Sequence, residues 1–170
     1  MTNFVAKVSQ LINCEPADAF NAFVDPDRIT RFWLGASSGP LAKDARVTWT
    51  FMVPGAVDTI AITEFEPTSL IAFHWSDGSN TRIEFSAHST GKTQVSVEIH
   101  GSAGDDLVEQ IVNTTEGFSI VLCDLKTLIE SGQSAGLVRA KAELIAASVP
   151  GGAAETALLL PSRPAVGEQG

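Results

Sequence analysis

The sequence is poor in several residue types that usually carry chemistry. It contains no tyrosine, two methionines and only two cysteines. Cys14 and Cys123 are far apart in the chain, so neither a CxxC redox motif nor a zinc site is indicated. We interpret both as reduced structural thiols, because free cysteine is commonly buried as a small hydrophobe. Without tyrosine, the side chains left for acid–base chemistry are His, Asp and Glu.

Basic residues are also scarce. The chain carries 11 Lys and Arg against 20 Asp and Glu, a net charge of −9. An acidic protein repels phosphate backbones and anionic lipids, so we expect no nucleic-acid partner and no membrane partner. The N-terminus has no apolar run of signal-peptide length, and no stretch approaches about 18 apolar residues. The sequence therefore predicts a cytoplasmic protein.

Motifs for metals, phosphates and dinucleotides are missing. There is no H-E-x-x-H, no phosphate loop and no dinucleotide fingerprint, so we expect no metal and no cofactor. His74, His88 and His100 all fall on the outward side of predicted strands. Glu64 and His74 form the one acid–base pair worth considering, and we favour a surface role for both. No catalytic residue is assigned.

Six stretches predict β-strands. In the first, Phe4 to Asn13, every second residue is expected to face inward: Phe4, Ala6, Val8, Gln10 and Ile12. Turn signals at Pro54-Gly55, Asp77-Gly78 and Gly91 then recur about every 8–12 residues, which is typical of an antiparallel meander. The remaining strands are predicted at 46–51, 57–66, 70–75, 82–88 and 94–100.

Helices are predicted at both ends of this meander. Pro16 opens a short helix, and a second runs from Pro26 to Trp33, before a Gly/Ser-rich loop over 34–43. The stretch from Asp106 to Gly132 predicts one long amphipathic helix. Asp106 with Glu109 is expected to cap its start, and Gly132 to end it. Its apolar face is expected to include Leu107, Val108, Ile111, Val112, Phe118, Val121, Leu122, Leu125, Leu128 and Ile129.

The last part of the chain has a weaker pattern. We predict one domain over 1–132 and an extension over 133–170, with a helix at 137–149 followed by a disordered tail. The apolar side of that helix is expected to dock on the body or on a second subunit, so a homodimer stays open.

Four local phrases resemble a known superfamily. EPADAF at 15–20, followed by DP at 25–26 and FW at 32–33, resembles the opening of the START-like SRPBCC superfamily. ITEFEP at 62–67 with LIAFHW at 70–75 is similar to a strand pair of its group named after the activator of heat-shock-protein-90 ATPase. VSVEIHG at 95–101, and then EGF at 116–118 with LKTLIE at 125–130, resemble that group's ending. The absence of tyrosine and the extension over 133–170 depart from the group.

The resemblance implies the helix-grip fold: an α+β class with a six-stranded curved antiparallel sheet, two short helices and a long C-terminal helix packed over the sheet. It further implies a cavity between sheet and helix for an apolar small molecule. We expect the inward aromatic residues and the polar residues that interrupt apolar faces to line it: Gln10, Trp33, Trp49, Phe51, Phe73, Trp75, Phe85, Thr115, Phe118 and Leu122. Ordinary core packing is the alternative for each aromatic residue, and a bond back to the preceding helical turn is the alternative for Thr115.

Three functions are compatible with this site. We favour binding of an apolar or aromatic small molecule without catalysis, because no ionisable residues converge in the sequence. The second is an enzyme of the cyclase, lyase or isomerase type that uses the same cavity. The third, implied by the group's name, is a module with a chaperone partner and a role in the stress response.

Overall fold

The computed structural model describes residues 1–148 and shows an α+β fold, in which a curved antiparallel sheet packs against a long C-terminal helix, as predicted. The strands are β1 (Thr2–Ile12), β2 (Leu34–Ser37), β3 (Arg46–Phe51), β4 (Val57–Glu66), β5 (Leu70–His74), β6 (Asn80–Ser89) and β7 (Lys92–Ala103). The helices are α1 (Pro16–Val24), α2 (Pro26–Ile29), α3 (Leu107–Ser131) and α4 (Leu137–Ser148). The sheet order is β1-β7-β6-β5-β4-β3-β2.

The described chain has seven strands, so the prediction of six was wrong. The additional strand, β2, lies inside the predicted loop over 34–43 and pairs with β3 at the edge of the sheet. A Cβ placed on Gly35 would lie 3.3 Å from the carbonyl oxygen of Phe51, so glycine allows the two backbones to approach closely here. A four-residue edge strand held by backbone hydrogen bonds needs no apolar alternation, which is why the sequence pattern missed it.

The strand pairings place one face of the sheet against the helices. In β1, Phe4, Ala6 and Ile12 are buried and the intervening residues are mostly exposed, as the alternation predicted. The pairing of β1 with β7 is continuous from Thr2–Ala103 to Ile12–Thr93. Helix α3 packs mainly on β1 and β7. The core therefore lies between the inner face of the sheet and α3.

The two short helices meet at a proline. Pro26 begins α2, and the side chain of Asp25 accepts a hydrogen bond from the Asp27 amide at 2.8 Å. Helix α2 ends at Ile29 and not at Trp33 as predicted. The Trp33 amide still donates to the Ile29 carbonyl at 3.0 Å, so the chain stays wound and Trp33 is delivered into the core.

The long helix begins and ends where predicted, but the predicted cap at its start is not formed. Gly132 has φ +80°, and its amide donates to the Leu128 carbonyl at 2.8 Å, which is a left-handed stop. Asp106 makes no side-chain cap hydrogen bond, so the expected capping pair with Glu109 is not formed. The Asp106 carboxylate instead accepts a hydrogen bond from the Gln110 side chain at 3.2 Å.

The first part of α3 is only lightly packed. Every buried residue of the helix lies at Gly117 or beyond, whereas Val108 and Val112 are 74% and 56% exposed. The prediction that these two valines belong to the buried face was wrong. Spacing assigns residues to a face of a helix, but it does not decide whether another element covers that face along the whole length. Leu107 and Ile111 are partly buried against the core.

Helix α4 is tied to α3 by a buried carboxylate. Asp124 is 1% exposed and accepts hydrogen bonds from the Ser134 hydroxyl at 2.6 Å, the Thr127 hydroxyl at 3.0 Å and the Val138 amide at 3.2 Å. A negative charge at the start of α4 interacts favourably with the helix dipole. The predicted domain boundary after Gly132 stays a prediction, and the predicted disordered tail lies outside the described residues. No helix within 1–148 is long and apolar enough to cross a membrane.

Candidate functional site

Six aromatic side chains from four parts of the fold meet between the sheet and α3. We call them the tryptophan cluster, and they are all buried: Trp33, Trp49, Phe51, Phe73, Trp75 and Phe118. Trp33 comes from the turn after α2, Trp49 and Phe51 from β3, Phe73 and Trp75 from β5 and its end, and Phe118 from α3. The site residues predicted on these elements are thus brought together.

Edge-to-face contacts hold the tryptophan cluster together. The Trp49 ring centroid lies 5.0 Å from that of Trp33, 5.3 Å from that of Phe73 and 5.8 Å from that of Trp75. Trp33 also lies 5.7 Å from Phe118, which joins the sheet to α3. Each such pair stabilises the fold by about 0.5–1.5 kcal/mol beyond area burial.

The three indole N–H groups of the cluster differ in their partners. Trp75 Nε1 donates to the hydroxyl of Thr81 at 2.8 Å, and Thr81 is itself buried. Trp33 Nε1 and Trp49 Nε1 are buried, and neither donates a hydrogen bond to any group among residues 1–148. Buried indole N–H groups usually find a partner. The indole N–H groups of Trp33 and Trp49 are two neighbouring exceptions, so this part of the core contains donors without acceptors.

A buried carboxylate that sequence reasoning missed lies beside the cluster. Asp58 pairs with Trp49 across β3 and β4, so the two side chains share a face of the sheet. Its oxygens accept hydrogen bonds from the Thr59 amide at 2.8 Å and the Ser76 amide at 3.2 Å. The signal was present in the sequence, because Asp58 precedes the inward Ile60 and Ile62 by steps of two.

Two predicted site residues lie outside the tryptophan cluster, further along the strands. Gln10 pairs with Val95, and Val95 pairs with Phe85, so the three form one row across β1, β7 and β6. Thr81 on β6 pairs with Phe73 of the tryptophan cluster. Phe85 is four residues further along β6, so the two rows are about 13 Å apart. Phe85 packs against the α1 rings of Phe20 and Phe23 at 5.5 and 5.8 Å. Gln10 Nε2 reaches Cys123 Sγ on α3 at 3.5 Å.

The predicted site residues on α3 differ in exposure. Leu122 is fully buried beneath the helix. Thr115 is half-buried, and its hydroxyl donates to the Ile111 carbonyl at 2.7 Å. This is a bond back to the preceding helical turn, the alternative to a ligand contact for Thr115. The hydroxyl keeps its acceptor lone pairs.

The outer face of the sheet carries the exposed ionisable groups. His74, His88 and His100 are exposed, and Glu64 forms an ion pair with Arg82 and not with His74. A groove of about 370 Å³ on this face is lined mainly by charged and polar residues, several of which pair with one another, for example Lys7 with Glu98 at 3.0 Å. Among residues 1–148, no group of three or more His, Cys, Asp or Glu side chains is placed to hold a metal ion.

Two pKa shifts have clear structural causes. Burial raises the pKa of the Cys14 thiol, which disfavours the reactive thiolate and fits a structural role. A hydrogen bond from Lys126 lowers the pKa of Glu130; the ammonium and carboxylate lie 2.6 Å apart, one helical turn from each other on α3.

The architecture defines a class: a sheet that curves around one long helix, with an aromatic interior. Residues 13–130 match the sequence model of the family described as activator of Hsp90 ATPase homolog 1-like protein, and the chain belongs to this family, in the START-like group of folds. A search of the curated proteins finds no match.

Solved structures share this fold. Protein SSP2350 from Staphylococcus saprophyticus is 27% identical with a TM-score of 0.70, over 77% of this chain and 95% of its own. DynU16, a protein in the dynemicin biosynthetic locus, is 18% identical with a TM-score of 0.66, over 76% of this chain and 48% of its own. The Aha1 dimer from Colwellia psychrerythraea is 16% identical with a TM-score of 0.63, over 79% of this chain and 100% of its own.

Proposed function

We propose that this protein binds an apolar or aromatic small molecule between the sheet and α3, within the tryptophan cluster, and does so without catalysis. The observation that carries the proposal is that six aromatic rings from β3, β5, α3 and the turn after α2 pack on one another between the sheet and α3. Binding sites for small molecules are mostly apolar, with a few polar groups that orient the ligand. The relation in fold to DynU16, which belongs to a biosynthetic locus, fits a small-molecule role.

Access to the interior runs, in this proposal, beneath the first part of α3. The first ten residues of α3 include no buried side chain, whereas the rest of the helix is anchored by residues such as Leu122 and Leu125. Segments with few buried apolar contacts open at low free-energy cost. A ligand entering there first meets Phe118, the cluster residue on α3, and then Trp33.

The proposal is tested with mass spectrometry and with fluorene, a rigid apolar aromatic probe. Native and then denaturing mass spectrometry of the purified protein is expected to release a bound small molecule. Equilibrium dialysis is expected to show fluorene binding. Phe118→Leu should weaken it about 2- to 10-fold, because one aromatic contact is worth about 0.5–1.5 kcal/mol.

The matched control is Phe20→Leu. Phe20 is a buried phenylalanine that contacts Phe65 and Phe85 at 5.4 and 5.5 Å and has no ring contact with the tryptophan cluster. It should leave fluorene affinity unchanged while costing similar stability. A protein that releases no compound and binds no fluorene up to the probe's solubility limit would rule out the proposal.

Catalysis in the same interior is the second candidate, and the buried Asp58 favours it. Asp58 is an acid–base group on the inner face beside Trp49. Because both of its oxygens accept backbone amide hydrogen bonds, we infer a structural role and rank catalysis second. Conversion of a released ligand to a product by the wild type, and its loss in Asp58→Asn, would reverse that order.

The third candidate function is an interaction with other proteins. The family description and the Colwellia psychrerythraea dimer support proposals of a chaperone partner and of self-association. Leu137 and Leu144 of α4 are 38% and 66% exposed and would be available to a second copy. Light scattering coupled to gel filtration tests self-association, and a pull-down with the heat-shock protein tests the chaperone partner.

A further inference from the structure

We infer that the ligand carries a neutral hydrogen-bond acceptor, such as a ketone, quinone or lactone carbonyl, which takes the indole N–H groups of Trp33 and Trp49. The inference rests on the proposed function and adds the chemical class of the ligand. Both donors are buried and have no partner among the described residues. An unpaired buried donor destabilises the folded protein, and a bound acceptor removes that destabilisation.

The two indole rings that carry these donors are in contact. The ring centroids of Trp33 and Trp49 are 5.0 Å apart, with the ring planes inclined by 61°. The faces of neighbouring rings are the alternative acceptors, and an N–H group gains less from a ring face than from an oxygen. A carbonyl oxygen has two lone pairs and serves one or both indoles.

The third tryptophan shows what a completed site looks like. Trp75 Nε1 lies 2.8 Å from the hydroxyl of Thr81, on the neighbouring strand. The protein thus supplies a buried acceptor for one indole of the cluster and for neither of the other two. Trp75 is the internal control, because its donor is already occupied.

Charge selects a neutral acceptor over an anionic one. The buried charged residues of the described chain are Asp58 and Asp124, and no Lys or Arg between 1 and 148 is buried. Asp58 lies directly across from Trp49. A ligand carboxylate would be desolvated near a fixed carboxylate with no cation to balance it, which is strongly unfavourable.

The test compares three compounds with one tricyclic skeleton by equilibrium dialysis: fluorene, 9-fluorenone and 9-fluorenecarboxylate at pH 7. Fluorenone is expected to bind about tenfold more tightly than fluorene, and the carboxylate more weakly than either. The fluorenone advantage should fall below about threefold in Trp33→Phe and Trp49→Phe and persist in Phe20→Leu, which lies outside the tryptophan cluster.

A second measurement uses the unaltered protein, in case a variant does not fold. With ¹⁵N-labelled tryptophan, the chain gives three indole N–H resonances in a two-dimensional NMR spectrum. Fluorenone should move the Trp33 and Trp49 resonances downfield relative to fluorene, since both compounds exert similar ring currents. The Trp75 resonance should respond equally to the two.

The outcomes separate the inference from the proposed function. If fluorene binds and fluorenone binds no more tightly, with no selective indole shift, the apolar site stands and the inferred acceptor is wrong. If the carboxylate binds best, the acceptor is anionic and the inference is overturned. If no compound binds, the proposed function fails and the inference fails with it.

Discussion

Replacing Thr81 with valine tests the energetic argument about buried indoles directly. Thr81→Val keeps the shape of the side chain and removes the oxygen that accepts the Trp75 N–H at 2.8 Å. Both residues are buried, so water does not readily replace the lost partner. Leaving a buried donor unsatisfied costs about 1–3 kcal/mol. For a chain of this size, a cost of about 2 kcal/mol lowers Tm by about 4–8 °C.

A double-mutant cycle isolates the hydrogen bond from packing. Trp75→Phe removes the donor, and in that background Thr81→Val should be neutral within about 0.5 kcal/mol, because no buried donor is left behind. The coupling free energy between the two positions is then about 1–2 kcal/mol. It is measured by urea unfolding at 25 °C, followed by far-ultraviolet circular dichroism so that loss of a tryptophan does not alter the probe.

Thr50→Val is the matched control. Thr50 lies on β3 and is half-buried, and its hydroxyl has no hydrogen-bond partner among the described residues. It should change the free energy of unfolding by less than about 0.5 kcal/mol. If Thr81→Val costs no more than this control, ring faces satisfy an indole N–H in this core. The argument from Trp33 and Trp49 to a ligand carbonyl would then lose its energetic basis.

Two further predictions concern stability. Asp124→Ala should lower the free energy of unfolding by about 3–4 kcal/mol, because it strands hydroxyl and amide donors at the junction of α3 and α4; Glu143→Ala, at an exposed position of α4, should cost less than about 0.5 kcal/mol in the same urea assay. An equal effect of the two changes would show that the buried carboxylate does not hold α4. The lowered pKa of Glu130 stabilises the fold above the pKa of the unfolded chain, about 4.5, and this contribution is lost as pH falls through the folded pKa. Glu130→Gln should therefore lose less thermal stability than the wild type between pH 5 and about pH 3. If thermal unfolding shows the same loss for both proteins over this range, the Lys126–Glu130 interaction is not its cause.

Much of the fold could be predicted because backbone periodicity is written in the sequence. Alternation placed β1 and β4 to within two residues, and a step of three and four placed α3. The same rule put His74 on the outer face, where it is exposed. It failed for β2, which owes its existence to pairing with β3 and not to a pattern of its own.

The candidate site could be predicted only in part. The inward aromatic residues were identified from alternation, and the structure gathers most of them into the tryptophan cluster. Gln10 and Phe85 were assigned to the same site but lie about 13 Å further along the strands, because alternation reports the face and not the position along it. Asp58 was overlooked although its spacing placed it inward.

The sequence by itself determined most of the strand and helix positions, the inward aromatic set and the family resemblance, because these depend on local periodicity and short motifs. Only the tertiary structure decided which indole has a partner, whether α3 is covered along its length and what the buried carboxylates hold. Hydrogen-bond satisfaction depends on atoms from distant elements: the acceptor of Trp75 comes from another strand, and the amide held by Asp124 comes from another helix. That dependence is also why the two unpaired indoles of Trp33 and Trp49, the basis of the inferred ligand chemistry, became visible only in the folded chain.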